Sequence, residues 1–283
     1  MTGVNASTIC RPVLRYHGGK WRLAPWIISH FPEHRVYVEP FGGAASILIR
    51  KPRSYAEVYN ERSGSIVNVF RVLRDFPEEI ERVLRLTPFS RDEFVTTYEA
   101  EPEDPIEWAR RTILRSMAGF GSAAATKGYK TGFRANSNRS GTPPARDWAN
   151  YPDLVTGFTE RLRGVVIENK DYREVMAQHD GPETLHYCDP PYVHSTRRHG
   201  NPYDKCYEYE MTDADHREFA AVVRRLIGPV VVSGYDCELY QELFGDWHSV
   251  ERKALADKAQ PRVEVLWFSP NITPQNDLFR EGA

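Results

Sequence analysis

From Arg35 to Asp75 the chain changes period three times. VYVEP (36–40) is an apolar run that stops at a glycine turn. AASILIR (44–50) follows at helical spacing, YAEVYN (55–60) reads as a second strand, and SIVNVFRVLR (65–74) returns to helical spacing. Strand, helix, strand, helix at this spacing predicts a parallel sheet with helices on its faces, because each helix carries the chain back along the sheet before the next strand starts. The rhythm stops near Phe76 and resumes after Leu162. There VVIEN, TLHYC and PVVVSGY read as strands and DADHREFAAVVRRL as an amphipathic helix capped at Thr212 or Asp213. LYQELF is a short helix, and HSVERK with VEVLWFS forms a closing pair of strands. The simplest architecture is one α/β domain made of residues 1–75 and 163–283, interrupted by an insertion over 76–162.

The insertion has its own texture. Helical signals (PEEIERVLRL, DEFVTTY, PIEWARRTILRSM) give way to GFGSAAATKGYKTGFRANSNRSGTPPARDW, which is polar, glycine-rich and without periodicity. Between Glu107 and Asp147 there are eight cations (Arg110, Arg111, Arg115, Lys127, Lys130, Arg134, Arg139, Arg146) and only those two anions. The whole chain carries a net charge of −2, so the bias is local. No apolar run approaches the ~20 residues of a membrane span, and the first residues lack the apolar core of a signal peptide. No membrane partner and a cytoplasmic location are therefore expected. The four cysteines (Cys10, Cys188, Cys206, Cys237) show no C-x-x-C pairing, which speaks against a metal site or a disulfide framework. All four are expected to be small buried packing groups.

Three short motifs carry chemistry. In VEPFGGAAS, Gly42 and Gly43 allow a sharp turn and close approach of a ligand at the end of a strand. Nucleotide, flavin and S-adenosylmethionine sites all use such a turn, and so do purely structural ones. Glu61 closes the next strand about twenty residues on, where an acid can accept from the hydroxyls of a ribose. In YHGGKWRLAPWII, Gly18, Gly19 and Lys20 are expected to open a helix and offer amides and a cation to an anion. Leu14 and Trp21 stand where a phosphate-binding loop needs Gly and Ser or Thr, which disfavours an ATPase. YCDPPY (187–192) ends a strand at a rigid corner. Asp189 and the Pro190 carbonyl can both accept from an exocyclic amine, and Tyr192 offers a ring to stack on a base.

In this combination the chain resembles the Dam-like amino-methyltransferases, which use S-adenosylmethionine to methylate adenine in DNA. The resemblance rests on YHGGK (16–20), VEPFGGAAS (38–46), Glu61 after VYN, and YCDPPY, in the family's order, and the tail resembles the phage-type branch. It implies a Rossmann-like S-adenosylmethionine-dependent methyltransferase fold, with 76–162 as a target-recognition domain. It implies cofactor contacts at Tyr16, Lys20, Pro40, Phe41, Gly42, Gly43, Glu61, Asp171 and Asp189, and target-adenine contacts at Asp189, Pro190 and Tyr192. Two departures stand out: the family usually has Asp at Glu61 and often Trp at Tyr16.

In this light the basic insertion is expected to face double-stranded DNA. Lys127, Lys130, Arg134 and Arg139, with Arg197 and Arg198 after DPPY, are expected at phosphates, and Arg134, Asn136 or Asn138 at base edges. The expected function is transfer of a methyl group to N6 of a flipped adenine. Methylation of cytosine N4 needs the same amine chemistry, and a non-catalytic DNA-binding protein on the same scaffold is the alternative from another class. A dinucleotide oxidoreductase would leave DPPY and the basic insertion unexplained. The recognition sequence, the oligomeric state and the presence of a cognate restriction endonuclease are not written in these motifs.

Overall fold

The computed structural model describes residues 9–125, 130–136, 138, 141–196, 207–255 and 261–272. Seven strands form one sheet: β1 (Val36–Glu39), β2 (Ala56–Asn60), β3 (Val165–Glu168), β4 (Thr184–Cys188), β5 (Val230–Tyr235), β6 (His248–Leu255) and β7 (Pro261–Phe268). Their order is β3-β2-β1-β4-β5-β7-β6. β1 pairs parallel with β2 and β4, β2 with β3, and β4 with β5. β7 alone runs the other way, antiparallel to both β5 and β6. The expected α/β class with a mostly parallel sheet is therefore what forms.

Side chains alternate between two covered faces, as a parallel sheet demands. Tyr37, Tyr59, Leu185, Tyr187 and Val231 join the larger apolar cluster. Cys188, Val230, Val232, Val265 and Trp267 join a second one. The second cluster is closed by α9 (Tyr172–His179), α10 (Asp213–Val223) and α11 (Glu238–Phe244), through Met176, Phe219 and Phe244. Thr212 caps α10 in a reciprocal box with Asp215, at the cap position the sequence indicates.

The first face is covered by α1 (Ala24–Ser29), α2 (Ser46–Arg50) and α3 (Gly64–Asp75), and then by helices of the 76–162 segment. These are α4 (Pro77–Leu86), α5 (Arg91–Thr96), α6 (Pro105–Ala118), α7 (Pro144–Ala149) and α8 (Val155–Leu162). α3 buries seven of its twelve residues, since α6, α8 and α4 pack on it as well as the sheet. Ile80, Phe94, Ile113, Trp148 and Phe158 lie in the same cluster as the sheet residues. A buried ion triad adds a polar lock. Glu57 of β2 accepts from both Nη atoms of Arg161 on α8 (2.6 and 2.9 Å) and from Lys51 Nζ (2.7 Å).

Two expectations change. Cys10 is exposed and Cys237 half-buried, so among the described cysteines only Cys188 is a fully buried packing group. Cys206 lies outside the described residues. Much of the basic bias of the insertion is spent inside it. Arg110 pairs with Glu107 and Glu93, and Arg111 with Glu107 and Glu99. Arg115, 9% exposed, donates to the carbonyls of Thr97 and Ala125. Counting charges between Glu107 and Asp147 overlooks acids that helix α5 and its flank bring from before the window. Among the described residues no helix is long and apolar enough to cross a membrane.

Candidate active site

The carboxyl ends of β3, β2, β1 and β4 open into one cleft. From β1 the chain steps to β2 on one side, while β4 lies on the other, so the crevice sits where the strand order reverses. Counting its open mouth, the space is about 1160 Å³.

The turn after β1 is shaped by its neighbours. A Cβ on Gly42 would stand 2.1 Å from the Tyr59 ring, so no side chain fits there. Gly43 has φ +48° and lies under the ring of Tyr16, and Ala45 is also left-handed at φ 53°. The Gly43 N–H donates to Glu61 Oε2 (2.9 Å) and the Ser63 N–H to Glu61 Oε1 (2.9 Å), so the acid of β2 closes the turn of β1. Burial raises the Glu61 carboxyl above its usual range, and these two N–H groups offset part of that. Asn60 stitches the three strand ends together. Its amide donates to the carbonyls of Pro40 and Lys170 and accepts from the Lys170 N–H. Phe41 packs on Tyr172 and Phe219, with centroids 5.0 and 5.6 Å away.

At the β4 end, Asp189 is held from one side. Its Oδ1 accepts from Ser233 Oγ (2.8 Å) and faces Lys20 Nζ (3.1 Å), and no donor of the described residues reaches Oδ2. Ser233 in turn meets the Tyr187 hydroxyl at 3.1 Å. Lys20 is 5% exposed, a correction to the expectation that it would present a cation from a helix start. α1 begins only at Ala24, Gly18 turns the chain at φ +72°, and Lys20 folds inward to donate to the Gly18 carbonyl (3.0 Å) and the Tyr192 hydroxyl. Two carboxylates, Asp189 and Glu264, draw it in. Burial alone would lower the Lys20 pKa, but these acids more than reverse that.

The nine residues expected at a cofactor, Tyr16, Lys20, Pro40, Phe41, Gly42, Gly43, Glu61, Asp171 and Asp189, all line this cleft. Asp171 also caps α9 and is paired with Arg173, which holds its carboxyl below the usual range. Pro190 and Tyr192 do not line the cleft. Pro190 is buried, and the Tyr192 ring is 7% exposed, set edge-on to Tyr235 at 4.5 Å. Base stacking by Tyr192 therefore needs that ring uncovered. Of the residues expected at DNA, Lys127, Arg139, Arg197 and Arg198 lie outside the described residues. Lys130, Asn136 and Asn138 are exposed, whereas Arg134 donates to the Met117 carbonyl (2.9 Å).

Four polar residues at or beneath the site received no role from the sequence: Glu39 and Ser46, although both lie in VEPFGGAAS, and Ser233 and Glu264, which lie in no motif. Glu39 is 3% exposed and accepts from the Tyr37 hydroxyl (2.9 Å) and the Leu48 N–H (3.0 Å). Burial pushes its carboxyl up to about 8. Ser46 lines the cleft with a buried hydroxyl that has no partner among the described residues.

Fold and cleft together define an α/β protein with a ligand crevice at the strand ends, walled by carboxylates and aromatic rings. The family model described as D12 class N6 adenine-specific DNA methyltransferase matches residues 16–257. The chain is 24% identical over 250 residues to the DNA adenine methylase of Serratia marcescens, covering 84% of this chain and 87% of that protein. It is 24% identical over 270 residues to the DNA adenine methylase of Escherichia coli (strain K12), at 90% and 92% coverage. With that of Salmonella typhi it shares 23% over 278 residues, again at 90% and 92%. The chain belongs to the D12 class of N6 adenine-specific DNA methyltransferases. It is thus an adenine-specific DNA methyltransferase, of a family that takes its methyl group from S-adenosylmethionine, and cytosine N4 is set aside as the target.

Proposed function

We propose that the cleft holds S-adenosylmethionine and that Asp189 holds the N6 amine of an adenine flipped out of duplex DNA at its mouth. The single observation that carries this is the asymmetry of Asp189, with Oδ1 fastened by Ser233 and Lys20 and Oδ2 left to a ligand. The cleft also fits the cofactor. Glu61, at the carboxyl end of β2, suits the hydroxyls of a ribose, the Ser46 hydroxyl, without a partner among the described residues, suits a polar group, and Phe41 with Tyr172 suits an apolar face. When bound, S-adenosylmethionine supplies an electrophilic methyl group on a sulfonium. Asp189 Oδ2 then accepts from one N6 hydrogen, and the Pro190 carbonyl, buried beside the cleft, accepts from the other once the entering base uncovers it, drawing the nitrogen towards tetrahedral geometry and turning its lone pair to the methyl. Holding the amine so supplies orientation, worth several orders of magnitude of effective concentration.

The 76–162 segment serves as the DNA-reading part, with Lys130 and Arg146 exposed for phosphates and Asn136 and Asn138 for base edges. The test is labelled S-adenosylmethionine with duplex DNA, followed by analysis of the product nucleoside. The wild-type chain yields N6-methyladenine, and Asp189→Ala yields none while melting at the same temperature. An Asp189→Ala rate above about a tenth of wild type would remove Asp189 from the chemistry.

A further inference from the structure

The buried carboxylate of Glu264 has no part in that reading. It lies on β7, the one reversed strand, beyond residue 257 where the family match ends, and is 2% exposed. Its Oε1 accepts from the Tyr192 hydroxyl (2.5 Å) and stands 3.5 Å from Lys20 Nζ, which is itself 3.1 Å from Asp189 Oδ1. One ammonium therefore sits between two carboxylates, and the three carry one net negative charge when ionised. A buried acid without a full partner is costly, and the residues that follow on the strand, Val265, Leu266, Trp267 and Phe268, are all apolar.

We propose that Glu264 is a positioning residue for methyl transfer, which by sharing Lys20 holds Oδ1 of Asp189 in place while leaving that carboxylate only partly neutralised. The inference rests on the role given to Asp189 above. A lysine belonging to Asp189 alone would cancel its charge and weaken it as an acceptor. As the N6 lone pair bonds the methyl carbon and the carbon–sulfur bond breaks with its electron pair on sulfur, positive charge moves onto the target nitrogen, which then releases one of its protons to solvent. Burial raises the Glu264 carboxyl, and Lys20 and the Tyr192 hydroxyl pull it back; in its ionised form it sets buried negative charge behind Asp189, which favours that movement. Tyr192 becomes the spacer of this arrangement. Its hydroxyl touches both Lys20 and Glu264, and Tyr235 holds its ring.

The experiment uses the full chain with Glu264→Gln and Glu264→Asp. Single-turnover transfer to duplex DNA, S-adenosylmethionine affinity by calorimetry and melting temperature are measured for each. Glu264→Gln, which keeps shape and loses charge, is expected to slow single-turnover transfer about tenfold or more. Its cofactor affinity stays within about twofold and its melting temperature within about 3 °C. Glu264→Asp, which keeps the charge, recovers part of the rate. Transfer by Glu264→Gln within about twofold of wild type overturns the proposal. So does a parallel fall in rate, affinity and melting temperature, or an Asp variant slower than the Gln variant. Asp189→Ala in the same assay separates the two ideas. If it stays active, the assignment of Asp189 fails, and if it is dead while Glu264→Gln is active, only the role of Glu264 fails.

Discussion

Glu39 makes a measurable demand on the stability of this enzyme as pH rises. Its carboxyl is buried at the end of β1, helped among the described residues by two hydrogen bonds, from Tyr37 and Leu48. Burial is the main cause of its shift from 4.5 to about 8; Asp189 adds to it, and the hydrogen bonds and Lys51 offset part. The folded state thus binds this proton more tightly than the unfolded chain. The stabilisation is complete below the unfolded value and is lost as pH rises through about 8. The full shift corresponds to about 5 kcal/mol. Between pH 6 and pH 9 the loss is about 3 kcal/mol, since part of it already lies below pH 6. Glu39→Gln mimics the protonated acid and can still accept from Tyr37 and Leu48. Urea unfolding of both proteins at pH 6 and pH 9 is the assay. Relative to wild type, the variant should gain about 3 kcal/mol on going from pH 6 to pH 9. A difference that stays flat, or that grows in the opposite direction, would refute the placement of a neutral acid beneath the cleft.

Arg161→Met leaves Glu57 buried with Lys51 as its one remaining cation, so it should cost about 3–5 kcal/mol in urea unfolding, with part recovered when Glu57→Gln is added. A loss below about 1 kcal/mol would show that the triad does not anchor α8 to the sheet. Lys130→Ala should lower the slope of log affinity for DNA against log salt by about 0.9 without changing the melting temperature. Arg134→Ala should lower the melting temperature as well, through its bond to Met117, and an unchanged slope for Lys130→Ala would take that residue out of the interface.

Much of the fold was legible because its signals are local. TLHYC is β4 residue for residue and PEEIERVLRL is α4, since apolar periodicity and capping residues act within a few positions. The nine expected cofactor residues meet in one cleft for a related reason. Seven of them follow the carboxyl ends of parallel strands, which share one edge, while Tyr16 and Lys20 precede α1, which runs back from that edge to the start of β1. The insertion was less legible. Its helices were visible, but its charge was not, because Glu93 and Glu99 reach Arg110 and Arg111 only once α5 packs on α6.

By itself, the sequence determined the class of fold, the order of the motifs and the chemistry available at DPPY. Tertiary structure alone decided what each charged group does there. Lys20 turns inward because Asp189 and Glu264, far along the chain, converge on it, and Tyr192 is covered because β5 and β7 stand beside it. The energies that settle these roles, desolvation and the sharing of one cation by two acids, depend on distance in space. Residue types and spacings along a chain carry no record of that distance.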